Sequence, residues 1–145
     1  TDVVYWSRQA KPQLAEELGI RFMPLEELVQ TADVISTHTP ESAGEILTAE
    51  LLKTTKEGVV LINTGSRETY SLDGLHDLLY DQKARAAFDF PIEDPRFDEL
   101  TADYWFYSNG QTAYNTFEAN KIASDMATQS ILNLLTTGND DYRVN

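Results

Sequence analysis

Gly58-Val59-Val60-Leu61-Ile62-Asn63-Thr64-Gly65-Ser66-Arg67 decides how this chain is to be read. Val59 to Ile62 is apolar without alternation, and Asn63 follows at once. A strand in the middle of a parallel sheet, covered on both faces, has this pattern. The polar and glycine residues after it belong to a loop at the strand's C-terminal end. Outward from this strand, short β-branched or aromatic runs predict further strands at Val3 to Ser7, Ile20 to Phe22, Asp33 to Thr37, Ala86 to Phe90 and Tyr104 to Tyr107.

Stretches of helical period lie between them. Leu14, Glu17 and Leu18 carry a short helix ended by Gly19, and Leu25, Leu28 and Val29 begin another after Pro24. Thr48 is an N-cap for a helix through Leu51 and Leu52 that stops at Gly58. Ser71 opens a helix with Leu75, Leu78 and Leu79 inward, and Thr116 to Leu135 is a long amphipathic helix closed by Gly138. Alternation of strand and helix is the pattern of βαβ units around a parallel sheet, an α/β fold. The loops Ser7-Arg8, His38-Thr39-Pro40 and Asn63 to Arg67 all follow strands. In an open parallel sheet such ends share one edge, where ligands bind.

Composition narrows the function. The 145 residues carry 11 basic and 24 acidic side chains, a net charge of −13 that repels polyphosphate backbones and anionic lipid. Neither a nucleic acid nor a membrane is expected as a partner. With no cysteine, disulfides, thiolate metal sites and thiol nucleophiles are excluded together. Apolar residues make up 41% of the chain, enough for an ordinary core, and no run approaches a membrane span. The expectation is a cytoplasmic globular domain. Thr1-Asp2 leads straight into Val3-Val4-Tyr5-Trp6, as if a segment upstream were missing.

Ala32-Asp33-Val34-Ile35-Ser36-Thr37-His38-Thr39-Pro40, Gly58 to Thr64, Ala86-Ala87-Phe88-Asp89-Phe90 and Ala113-Tyr114-Asn115-Thr116-Phe117-Glu118-Ala119, in that order and spacing, resemble the D-isomer-specific 2-hydroxyacid dehydrogenases. The resemblance implies a Rossmann-like doubly wound parallel sheet, here partial, a nicotinamide cofactor, NAD or NADP, a small 2-keto or 2-hydroxy acid substrate in the intact parent protein, and a homo-oligomer. It covers residues 1–145 as a partial dinucleotide-binding domain without the substrate domain. Members carry a Gly-x-Gly-x-x-Gly turn after their first strand, and none of the seven glycines here is spaced Gly-x-Gly. The chain thus resembles the family from its second strand onward, and this fragment alone is not expected to bind the cofactor tightly. Because the first strand normally lies between Val3 to Ser7 and Asp33 to Thr37, these two strands should be joined by an upstream segment or a second chain, or pair directly. Losing the helices after that first strand should expose Val59 and Leu61.

Carried over residue by residue, the resemblance places Ser7 and Arg8 at the adenosine ribose. A small hydroxyl followed by arginine suits a 2′-phosphate and tilts the preference to NADP; otherwise Arg8 is a solvated charge at a strand end. His38, Thr39 and Pro40 match the segment beside the nicotinamide ribose, with His38 shaping the loop rather than reacting. Asn63 and Thr64 match the next strand end. Asp89 matches the carboxylate that holds the nicotinamide carboxamide, or else caps a turn.

The catalytic positions depart from the family. Hydride delivery to a keto acid needs an arginine for the carboxylate, a histidine as proton donor and a carboxylate orienting that histidine. In the family's Asn-x-x-Arg-Gly, Ser66 falls at the arginine and Arg67 at the glycine. Asp94 replaces glutamate before Pro95. Gln111, after Gly110, replaces the histidine, and an amide has no proton to give near neutral pH. Arg67, Asp94 and Gln111 are therefore either the remnants of an impaired catalytic set or ordinary loop residues. Two functions follow: an NAD(P)-dependent 2-hydroxyacid dehydrogenase with weakened activity, or a noncatalytic relative that keeps the fold for cofactor sensing or subunit assembly. A receiver or flavodoxin-like domain fits poorly, since neither an acidic cluster at the first strand end nor a phosphate loop is present.

Overall fold

The computed structural model describes residues 2–108 and 116–138. The chain divides into two compact units, Thr1–Asn109 and Gly110–Asn145. In the first, β1 (Val4–Tyr5) pairs in parallel with β2 (Arg21–Phe22). β3 (Val34–Thr37), β4 (Val59–Asn63), β5 (Ala84–Phe88) and β6 (Trp105–Tyr107) form a separate parallel sheet in that order. The α/β reading with parallel strands is thus realised. β4 has the expected bounds.

β1 is shorter than Val3 to Ser7 because its partner β2 offers only two residues before Pro24. β5 begins two residues earlier than expected and leaves out Phe90. Gln82 turns the chain with φ 58°, Gly58 N–H donates to Lys83 O at 2.6 Å, and Val59 then registers with Ala84. Phe90 folds back into the core, 5.5 Å from the Phe88 ring.

Helices α1 (Pro12–Leu18), α2 (Leu25–Thr31), α3 (Ala49–Leu52) and α4 (Leu72–Tyr80) connect the strands. In α1 the buried side chain is Ala15, while Leu14 and Leu18 are exposed. α3 stops well before Gly58. Thr54 N–H bonds to Leu51 O at 3.0 Å, and the Thr54 and Thr55 hydroxyls donate to Leu51 O and Leu52 O, so local bonds replace further helical turns. α4 opens at Ser71, whose hydroxyl accepts from Gly74 N–H at 3.4 Å.

Parallel register sets Ile35, Leu61, Ala86 and Trp105 side by side on one face, all buried. Val29, Leu52, Leu75, Leu78 and Leu79 from the helices share that core. Burying a leucine such as Leu61 or Leu75 contributes about 1.5–3 kcal/mol. The other face carries Val34, Val60, Ile62, Ala87 and Phe106, with Val34 56% and Phe106 63% exposed. Two expectations need correcting here. β4 is fully buried on one face only, and the apolar residues left open are Val34 and Phe106, not Val59 and Leu61, which are 1% and 0% exposed. Strand side chains alternate, so the helices cover a single parity.

Among the described residues β1 has β2 as its only strand neighbour, and β3 has only β4. Direct pairing of β1 with β3 does not occur. Residues of both strands instead line a groove of about 1130 Å³. In the second unit, α5 (Phe117–Thr137) starts at Thr116, whose hydroxyl accepts from Ala119 N–H at 3.1 Å, and closes at Gly138 with φ 73°.

Candidate functional site

Strand ends position the polar residues. β3 and β4 stop side by side, Thr37 registered against Asn63, so the loops that follow emerge together. Asn63 is fully buried and shapes its own loop: its side-chain carbonyl accepts from Gly65 N–H and its amide donates to Ser66 O, both at 2.9 Å. A buried amide that has both ends satisfied holds its loop in one conformation. Gly65 then lies against the neighbouring loop, and Ser66 N–H donates to Thr39 O at 2.9 Å.

Side chains close the same rim. His38 Nδ1 is 2.8 Å from the Thr64 hydroxyl and Nε2 is 2.9 Å from the Ser36 hydroxyl. Both hydroxyls rotate to donate or accept, so either tautomer of the imidazole keeps both bonds. The Thr39 and Thr69 hydroxyls bond to each other. Asp89, half-buried just past β5, donates its backbone N–H to Asn63 O at 3.1 Å. Beneath the rim, burial pushes the Tyr70 phenol up to about 12; Thr37 tempers that rise without closing a hydrogen bond.

Ser7, Arg8, His38, Thr39 and Pro40 line the same groove between β1 and β3, although Ser7 and Arg8 come from the opposite wall. The Ser7 hydroxyl donates to Gln9 O at 2.6 Å, and Arg8 makes no ion pair among the described residues. Asn63, Thr64 and Asp89 are not among the residues that line the groove. An unpaired guanidinium at one wall and a rim of hydroxyls at the other are donors suited to the phosphates and riboses of a dinucleotide, so the residues present fit that group.

Of the residues at catalytic positions, Arg67 and Asp94 do not line this groove. Arg67 lies in the turn Arg67–Thr69 after β4, its guanidinium 5.3 Å above the Phe90 ring and 3.8 Å from Glu93. Asp94 caps the turn Pro95–Glu99 by accepting from Arg96 N–H at 3.0 Å, and the Arg96 guanidinium holds both its oxygens. Those hydrogen bonds, side chain first and backbone second, hold the Asp94 carboxyl below the usual range. Gln111 lies outside the described residues. Sequence reasoning missed Thr69 and Glu93, whose partners Thr39 and Arg67 lie far away in the chain, and Ser36 and Arg96, which no motif marks.

A parallel α/β sheet whose strand ends form a polar rim is the arrangement of a doubly wound nucleotide-binding domain. The model of the D-isomer specific 2-hydroxyacid dehydrogenase NAD binding domain matches residues 1–105, and the chain belongs to that family. It is 29% identical over 137 residues to a 2-hydroxyacid dehydrogenase homolog of Zymomonas mobilis, covering 81% of this chain and 41% of that protein. To a glyoxylate reductase of Thermococcus litoralis it is 30% identical over 100 residues, 67% of this chain and 30% of the relative. The apo-structure of D-lactate dehydrogenase from Escherichia coli superposes with a TM-score of 0.75 at 25% identity, covering 92% of this chain and 44% of that one. The chain therefore spans less than half the length of these relatives.

Proposed function

We propose that this chain is the cofactor-binding part of an NAD(P)-dependent oxidoreductase acting on a small 2-keto or 2-hydroxy acid, with catalysis impaired at altered positions. The observation that carries the reading is the pinned rim. The Thr64 hydroxyl, bonded to His38 Nδ1, and Ser66 N–H, donating to Thr39 O, hold the His38-Thr39 loop at the shared C-terminal edge of β3 and β4, while the Asn63 side chain fixes the Gly65-Ser66 turn that presents them. Such a rim presents the same polar groups to a ligand before and after binding. When bound, the nicotinamide supplies the hydride. Thr39 and Pro40 border its ribose in this reading, Asp89 faces its carboxamide, and Ser7 and Arg8 meet the adenosine ribose, with Arg8 favouring a 2′-phosphate.

Arg67 is the group for the substrate carboxylate. Asp94 cannot orient a distant imidazole while Arg96 occupies both its oxygens, and Gln111 offers no proton, so the acid step is the weak one. The sequestered Asp94 also favours a second reading, a noncatalytic relative kept for cofactor sensing or subunit assembly. The substrate domain, a cytoplasmic location and a homo-oligomeric parent belong to the first reading.

Fluorescence titration of the intact parent with NADH and NADPH, followed by turnover on glyoxylate and hydroxypyruvate, tests both. Cofactor binding with turnover well below the ordinary range, about 1 to 10³ per second, is expected. Gln111→His should raise that rate without restoring it fully. Ordinary wild-type turnover overturns the impaired reading. Cofactor binding with no turnover, even in Gln111→His, selects the noncatalytic one.

A further inference from the structure

Two guanidinium groups stand beyond the ends of β4 and β5, and they are held very differently. Arg96 is saturated: Nη1 reaches Asp73 at 2.9 Å, Nη2 reaches Asp94 at 2.6 Å, and Nε lies 3.1 Å from each Asp94 oxygen. Arg67 rests on the Phe90 ring and meets Glu93 through one contact of 3.8 Å, beyond hydrogen-bond range. Its chain neighbour Glu68 is bound to the Ser66 hydroxyl and held below the usual carboxylate range by that bond. Arg67 is thus the available cation of the pair, and Glu93 is the loose anion beside it.

We infer that Glu93 is a built-in competitor for the Arg67 guanidinium that makes the site selective for monocarboxylate 2-keto acids over dicarboxylates. The inference rests on Arg67 being the carboxylate-binding group of the proposed function. Phe90 is buried, so its ring is a fixed floor 5.3 Å from the guanidinium carbon of Arg67, whose side chain is 52% exposed. A substrate carboxylate takes two parallel N–H bonds from the guanidinium, a geometry the single long Glu93 contact does not achieve, and so displaces it. Once displaced, Glu93 stays within reach on a side chain that is 85% exposed. Its charge then repels any second carboxylate on the substrate, and the net charge of −13 acts in the same direction.

Calorimetric titration of the intact protein with 2-oxobutanoate and with 2-oxoglutarate, in wild type, Glu93→Gln and Arg67→Gln, decides the matter. Glu93→Gln should tighten 2-oxobutanoate about two- to fivefold, as expected for removing an exposed ion pair. It should tighten 2-oxoglutarate by more, about tenfold, because a repulsion is lost as well. Arg67→Gln should abolish both. An unchanged ratio between the two acids in Glu93→Gln, or undiminished binding in Arg67→Gln, overturns the inference. Cofactor titration runs separately: loss of NADH and NADPH binding defeats the proposed function, whereas the ratio of the two acids decides the role of Glu93 alone.

Discussion

Gly65 stands against the backbone of Thr39: a Cβ on Gly65 would lie 2.6 Å from the Thr39 nitrogen and 2.7 Å from its carbonyl oxygen. Side chains yield easily, but these are backbone atoms already committed, the carbonyl to Ser66 N–H. The approach of the two rim loops therefore depends on a missing methyl group. Gly65→Ala should lower stability by about 1–3 kcal/mol, the usual cost of forcing an extra carbon into a packed site. Urea unfolding measures it, and an unchanged midpoint contradicts the close approach.

Asp94 gives a pH signature. Its carboxyl is held below its ordinary 3.8 by the Arg96 side chain first and the Arg96 backbone N–H second. A depressed folded value means the contribution is fully present above pH 3.8 and is lost as pH falls through the lower folded value. Asp94→Asn should be less stable than wild type at pH 7, with the gap closing in stronger acid. A gap that persists or widens there shows that the ion pair with Arg96 is not its source.

Arg8 is a test of cofactor choice. It lines the groove without an ion pair among the described residues, so its charge is available to a phosphate. In the intact parent, Arg8→Asp should weaken NADPH by about tenfold and NADH much less, since a charge-assisted bond to phosphate contributes about 1.5–3 kcal/mol. Equal losses for both cofactors show that Arg8 does not read the 2′-phosphate.

The open edge of β3 predicts association. Val34 is 56% exposed on a strand that, among the described residues, pairs on one side only. Unpaired strand edges template further pairing. Sedimentation velocity on the 145-residue chain should show concentration-dependent association, and Val34→Lys should shift it toward monomer. A monomer at every concentration for the wild-type chain contradicts this.

The amino-acid sequence alone determined the parallel α/β plan, the bounds of β4, the caps at Thr48, Ser71 and Thr116, and the strand-end location of His38, Thr39, Asn63 and Thr64. Each depends on neighbours a few residues away: a side-chain hydroxyl reaching an N–H one turn on, or an apolar run breaking into polar loop. What only the tertiary structure decided is which parity of β4 the helices cover, that His38 bonds to Thr64, that Arg96 rather than a histidine occupies Asp94, and that Arg67 lies between Phe90 and Glu93. Periodicity states that alternate residues share a face without stating which face meets a helix. A long side chain such as arginine can meet any carboxylate that folding brings near, so its partner is set by where the chain returns rather than by the residues beside it.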